Sequence, residues 1–169
     1  PSRFMLVCAM NPCRCGWYGH PDRKCTCSER QVESYMRRIS GPLLDRIDLH
    51  VEVPSVDYEA MRRKDTPESS AEVQKRVNAA RAVQQRRYAG TDVSCNAYMT
   101  PPMIGKYCEL DERCEKLMRG AFDRLGLTGR SHDRILRVAR TIADLDGSEN
   151  IRPEHLSEAI QYRSSDILK

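Results

Sequence analysis

The sequence contains no apolar run approaching the roughly 18 residues that a membrane-crossing helix needs, so no membrane association is expected. It has no signal-peptide pattern and no initiator methionine. The chain opens at Pro1-Ser2-Arg3 and runs at once into an apolar stretch, which reads as a piece of a longer, cytoplasmic polypeptide. No phosphate cradle of the form G-x-x-x-x-G-K-[ST] is present, because Gly105-Lys106-Tyr107 lacks both the earlier glycine and the hydroxyl. These residues alone are therefore not expected to hydrolyse a nucleotide. H-E-x-x-H, G-x-S-x-G and a close carboxylate pair in apolar surroundings are absent too, which leaves hydrolase readings without support. There is no internal repeat and no low-complexity tract. A dominant charge is also missing: 28 Lys and Arg against 24 Asp and Glu leave only +4, so basicity by itself does not predict a nucleic-acid partner. The 169 residues, 40% of them hydrophobic, suit one or two small folded domains.

Cysteine is what the chain has in excess. Five of its eight cysteines fall in the first 27 residues, and four form two pairs, Cys13-Arg14-Cys15 and Cys25-Thr26-Cys27, with nine residues between. A secreted disulfide domain would spread its cysteines and carry a signal sequence, whereas paired cysteines in a cytosolic chain point to metal. Four thiolates close a tetrahedral zinc site, and Gly16, Gly19 and Pro21 suit a chain folding back on itself. His20 is a possible substitute for one cysteine, and a surface loop of free thiols is the plain alternative. Cys8 and Cys114, each among apolar neighbours, read as buried small hydrophobes.

Patterning divides the chain in three. Residues 1–54 are expected to supply two strands with connecting helices: a nearly continuous apolar strand over 3–9, a capped helix from Ser28 to about Arg38, a short helix over 43–46, and an alternating strand over 47–53. Residues 55–67 read as a polar linker. Over 68–169 the period becomes helical, with four amphipathic helices. The first carries Val73, Val77, Ala80 and Val83 on one face. The second carries Cys114, Leu117, Met118, Ala121, Phe122 and Leu125; the third Ile135, Val138, Ile142 and Leu145; and the last, opened by Pro153, Leu156, Ala159 and Ile160.

Three motifs carry a resemblance. Leu6-Val7-Cys8-Ala9-Met10-Asn11-Pro12-Cys13-Arg14-Cys15-Gly16, then residues 39–54 around Leu44-Asp45-Arg46-Ile47-Asp48, and then residues 136–145 resemble the magnesium-chelatase-like AAA+ ATPases, and within them the ComM-type competence branch. The likeness implies an α/β plus α fold: the end of an αβα ATPase core with its cysteine-rich loop over 13–27, followed by an all-α four-helix lid. It implies a ring of identical subunits, a hexamer, using ATP with Mg2+ and acting on DNA as a helicase or branch-migration factor. Residue by residue, it makes Asn11 the sensor-1 residue that orients attacking water, and Arg46 an arginine finger reaching the ATP of the next subunit. Arg130 is then the sensor-2 candidate, in Thr128-Gly129-Arg130 where serine-x-arginine is usual, and Arg134 one turn on is the second candidate. Cys13, Cys15, Cys25 and Cys27 are the ligands of a structural Zn2+, in a loop that the porphyrin-metalating subunits lack; Arg14 stands where proline is more usual.

Each role has a plainer counterpart. Asn11 could simply bond turn backbone, Arg46 could pair with Asp45 or Asp48, and Arg130, Arg134 and Arg137 could form a solvated basic face. Two other functions stay open: a chelatase-type motor subunit driving metal insertion by a partner, and a zinc-stabilised nucleic-acid-binding module without catalysis, gripping phosphates through Arg14, Arg23 and Lys24.

Overall fold

The computed structural model describes residues 4–55, 58, 62 and 68–163. It divides into two compact units, built on Pro1–Arg46 and on Ile47–Ser165.

In the first unit, residues 4–10 have no regular structure and are exposed throughout, with Met5 88% and Val7 81% accessible. The expected strand is not formed within the described residues, and Cys8, expected to be buried, is exposed. The second expected strand, over 47–53, is not formed either, so the described residues are helical where an α/β portion was expected. The physical reason is a missing partner. A strand satisfies its N–H and C=O groups only against a neighbouring strand, and the described residues offer none. Helix α1 (Glu29–Met36) forms as its capping box requires: Ser28 Oγ accepts from the Gln31 amide, while Gln31 Oε1 accepts from the Ser28 amide at 2.9 Å. Ser40 then caps the single turn of α2 (Gly41–Leu44), which begins two residues earlier than expected, with Pro42 in its first turn where a missing N–H costs nothing.

The second unit is a helical bundle of α3 (Ser70–Arg87), α4 (Pro101–Tyr107), α5 (Glu112–Leu125), α6 (Gly129–Leu145) and α7 (Pro153–Gln161), with a 3-10 turn at Asn96–Tyr98. The four expected helices are present; α4 and the 3-10 turn are additions. The core runs through Met118 and Ala121 of α5, Ile135 and Ala139 of α6, and Leu156 and Ile160 of α7, with Ile135 and Leu156 fully enclosed. Asp111 caps α5 by accepting from the Cys114 amide at 2.7 Å, and Gly126 ends it in the left-handed region at φ 60°.

Helix α3 packs differently from its sequence pattern. Residues 70–79 are exposed, Val73 and Val77 included, and burial begins at Ala80 and continues with Gln84 and then Tyr88. Its inward face is thus largely polar or aromatic, which a search for aliphatic residues does not detect. Leu145 and Phe122, expected inside, are exposed at the margins of their stripes.

Residues 47–50, with a bend at Asp48, form a strap tied to this bundle. The His50 amide donates to the Tyr162 carbonyl at 2.9 Å, Arg163 Nη1 donates to the Ile47 carbonyl at 2.5 Å, and Asp48 pairs with Arg134.

Candidate metal centre and arginine positions

The cysteine loop is built from two tight turns. The Gly16 amide donates to the Cys13 carbonyl at 3.1 Å and the His20 amide to the Trp17 carbonyl at 3.2 Å. Gly16 and Gly19 sit at φ 82° and 77°, values that a side chain disfavours. These turns bring the two pairs together. Cys13 Sγ lies 3.4 Å from Cys15 Sγ and 3.7 Å from Cys25 Sγ, Cys15 and Cys25 are 3.5 Å apart, and the four sulfurs, Cys27 included, all lie within 4.8 Å of one another.

Those separations are far beyond a disulfide bond of about 2.05 Å, and all four thiols are free. They approach the edge of a sulfur tetrahedron, about 3.8 Å for metal–sulfur bonds of about 2.3 Å. The four cysteines can therefore hold a metal ion. Backbone donors prepare the set for negative charge. Amides of Trp17 and Thr26 bond Cys15 and draw its thiol down to about 5. The Cys27 amide donates to Cys25 Sγ at 3.4 Å, yet desolvation and the neighbouring Cys15 and Cys13 outweigh it and push Cys25 up to about 12. Thiolates crowded this closely resist joint ionisation until a cation sits between them.

His20 does not join the cluster, which corrects its reading as a substitute ligand. Its Nδ1 accepts the amides of Asp22 and Arg23, each at 3.0 Å. The ring meets Trp17 edge-on at 5.1 Å, and the Arg23 guanidinium lies 4.2 Å over the Trp17 ring. Sequence reading missed this stack, although Trp17, His20 and Arg23 at three-residue spacing offered a signal.

The other sequence-derived positions lie apart. Asn11 is exposed beside the first turn: a Cβ on Gly16 would sit 3.8 Å from its Nδ2. Arg46 is exposed just past α2, its Nη1 donating to the Pro42 carbonyl at 3.1 Å. Arg130 is exposed in the first turn of α6, where Thr128 Oγ1 accepts from the Ser131 amide. Arg134 is largely covered and paired with Asp48.

A buried polar cluster also escaped sequence reading. Asp144, fully enclosed, accepts from Arg87 at 2.7 and 2.5 Å, from Asn96 Nδ2 at 2.9 Å and from Arg140 Nε at 3.1 Å. Asn96 Oδ1 accepts from the Tyr88 hydroxyl at 2.7 Å, and Arg140 donates to the carbonyls of Ser148 and Glu149. The cluster joins α3, the 3-10 turn and α6, and its members come from positions too distant to be paired by spacing. Every carboxylate oxygen here is taken up by a structural partner, which makes the cluster a cross-link rather than a reactive centre.

Comparison with known proteins places these features. The profile described as magnesium chelatase, subunit ChlI, matches residues 1–61, and that of the ChlI C-terminal region matches residues 67–163. Among individual relatives, the protein named uncharacterized protein YifB of Escherichia coli K12 is 41% identical over 169 residues, covering 99% of this chain and 32% of YifB. Competence protein ComM of Haemophilus influenzae is 40% identical over 165 residues, covering 97% of this chain and 31% of ComM. An uncharacterized protein of Mycobacterium tuberculosis is 33% identical over 165 residues, 98% of this chain. The chain spans about a third of the length of these curated relatives. With both profiles matched in order and the C-terminal one covering more than half of the residues, the chain belongs to the magnesium chelatase subunit ChlI family.

Proposed function

We propose that this chain is the sensor-bearing and lid portion of an ATP-driven AAA+ ring motor that acts on DNA in the manner of a helicase or branch-migration factor. The observation that carries the reading is the likeness to competence protein ComM across nearly the whole chain, which includes the cysteine-rich loop. ATP with Mg2+ binds in the parent, where the phosphate loop lies outside these residues, and identical subunits close into a hexameric ring.

Within that ring, Arg46 is the trans arginine finger. The residue is exposed and its Nη1 donates to the Pro42 carbonyl, while Asp48, one of its two acidic alternative partners, is paired with Arg134. An arginine so placed can approach the γ-phosphate of a neighbouring subunit and offset transition-state charge, an effect worth about a thousandfold or more in rate. Asn11 orients the attacking water, and Arg130 of Thr128-Gly129-Arg130, exposed at the N-terminal turn of α6, is sensor 2, with Arg134, which pairs with Asp48, as the second candidate. The ion in the cysteine cluster is zinc, four-coordinate and structural, fixing a loop that has little apolar core of its own. The exposed apolar residues 4–10 add a strand to a sheet that the rest of the parent supplies.

The test is ATP hydrolysis by the full-length parent with and without DNA. Stimulation by DNA, abolished in Arg46→Ala with nucleotide binding retained, is the expected result. Loss of nucleotide binding in that variant would assign Arg46 a structural role. The family's name favours a second reading, a motor subunit that drives metal insertion by a partner enzyme, and indifference to every form of DNA would select it.

A further inference from the structure

The cysteine loop has more on its surface than a structural zinc site requires. Of residues 13–27 only Cys13 is buried, while Arg14, Tyr18, Arg23 and Lys24 are exposed, Tyr18 at 54%. Asp22 is the one acidic side chain among these residues. Arg23 is not loose: its guanidinium is held over the Trp17 ring, and its amide is bound by His20. A four-thiolate zinc centre carries negative charge of its own, which would oppose a polyanion. Here the amides of Trp17, Thr26 and Cys27 donate to its sulfurs and offset part of that charge, while the cations are exposed.

The geometry points to this loop as a contact for single-stranded DNA: Arg14, Arg23 and Lys24 take phosphates and Tyr18 stacks on a base. The choice of DNA over other polyanions rests on the motor reading above. Two features support it together. Three cations on a loop stapled by four sulfurs form a preorganised anion surface, which loses little conformational freedom on binding. An exposed aromatic on the same loop, Tyr18, supplies the sequence-tolerant stacking that distinguishes single-strand binding from simple charge attraction.

Trp17 is the only tryptophan in the chain, so its fluorescence reports on the loop directly. The zinc-loaded 169-residue chain is titrated with oligo(dT), following Trp17 emission and the anisotropy of a labelled oligonucleotide. Saturable binding is expected, with a slope of about −2 in log affinity against log salt from three phosphate contacts. Tyr18→Ala should weaken binding about tenfold, and Arg23→Gln should flatten the slope by about 0.7, each with its zinc content unchanged. No binding, or binding equal in wild type, Tyr18→Ala and the Arg14→Gln/Lys24→Gln pair, overturns the proposal. Equal affinity for heparin with no effect of Tyr18→Ala overturns it in favour of charge alone. The motor reading fails separately: loop-dependent binding beside a parent ATPase indifferent to DNA would leave this contact standing and remove the motor.

Discussion

Arg87 and Asp144, 57 residues apart in sequence, meet through two hydrogen bonds of 2.7 and 2.5 Å inside the helical unit, with the carboxylate wholly enclosed. Breaking one side of such a pair leaves an uncompensated charge in the interior. Asp144→Ala should therefore lower unfolding stability by about 3–5 kcal/mol, measured by urea titration at neutral pH.

The same carboxylate makes stability depend on acid. Burial opposes its ionisation, but Arg87 and Asn96, with Arg140 behind them, outweigh that and hold the carboxyl below its ordinary range. A depressed carboxyl contributes its full stability above the unfolded value of about 4 and loses it as pH falls through the lower folded value. Wild type and Asp144→Asn should thus differ clearly at pH 7 and converge as the solution is acidified below pH 4. Parallel curves across that range would assign the acid sensitivity elsewhere.

The cysteines should separate by reactivity. Burial pushes the Cys108 thiol up to about 11 and that of Cys114 up to about 12, the latter also opposed by Asp111. Cys8 is exposed. Brief alkylation of the native chain at pH 8, read by peptide mass spectrometry, should modify Cys8 and spare Cys108 and Cys114.

The metal centre predicts a stoichiometry. Chain purified without chelator should hold about one zinc, and Cys13→Ser, which removes the most buried ligand, should abolish it. Circular dichroism should show the bundle helices unchanged in that variant, since the four ligands and the bundle belong to separate units.

Removing the strap should act locally. In Arg163→Ala the Ile47 carbonyl loses its guanidinium donor, and hydrogen exchange at the His50 amide, bound to the Tyr162 carbonyl, should quicken, while amides within α6 keep their protection.

Much of the helical unit was legible in the chain because its signals are local. Pro153 opens the last helix where its fixed φ and missing N–H predict, and the stripe on α6 repeats at helical spacing, although α6 begins at Gly129 and not at Ser131 as expected. Cys13, Cys15, Cys25 and Cys27 could be grouped for the same reason, since turns at Gly16 and Gly19 need no distant partner. The reading failed where structure depends on what lies far along the chain or outside these residues. Residues 4–9 have strand composition, yet without a neighbour to bond they form no regular structure and are exposed. Helix α4, opened by Pro101 and Pro102, was not foreseen, since its seven residues are too short for an apolar stripe to repeat. Val73 and Val77 misled because α3 buries Gln84 and Tyr88 instead, one bonding the Asn96 amide and the other its side chain.

The contact between Arg163 and the Ile47 carbonyl spans 116 positions, and it bears on the order in which the bundle is made. During synthesis, residues 47–50 leave the ribosome long before Tyr162 and Arg163, which anchor them, have been added. The strap can therefore dock only once the end of the last helix has been made, and closing so long a loop carries an entropic cost that short-range helix contacts do not.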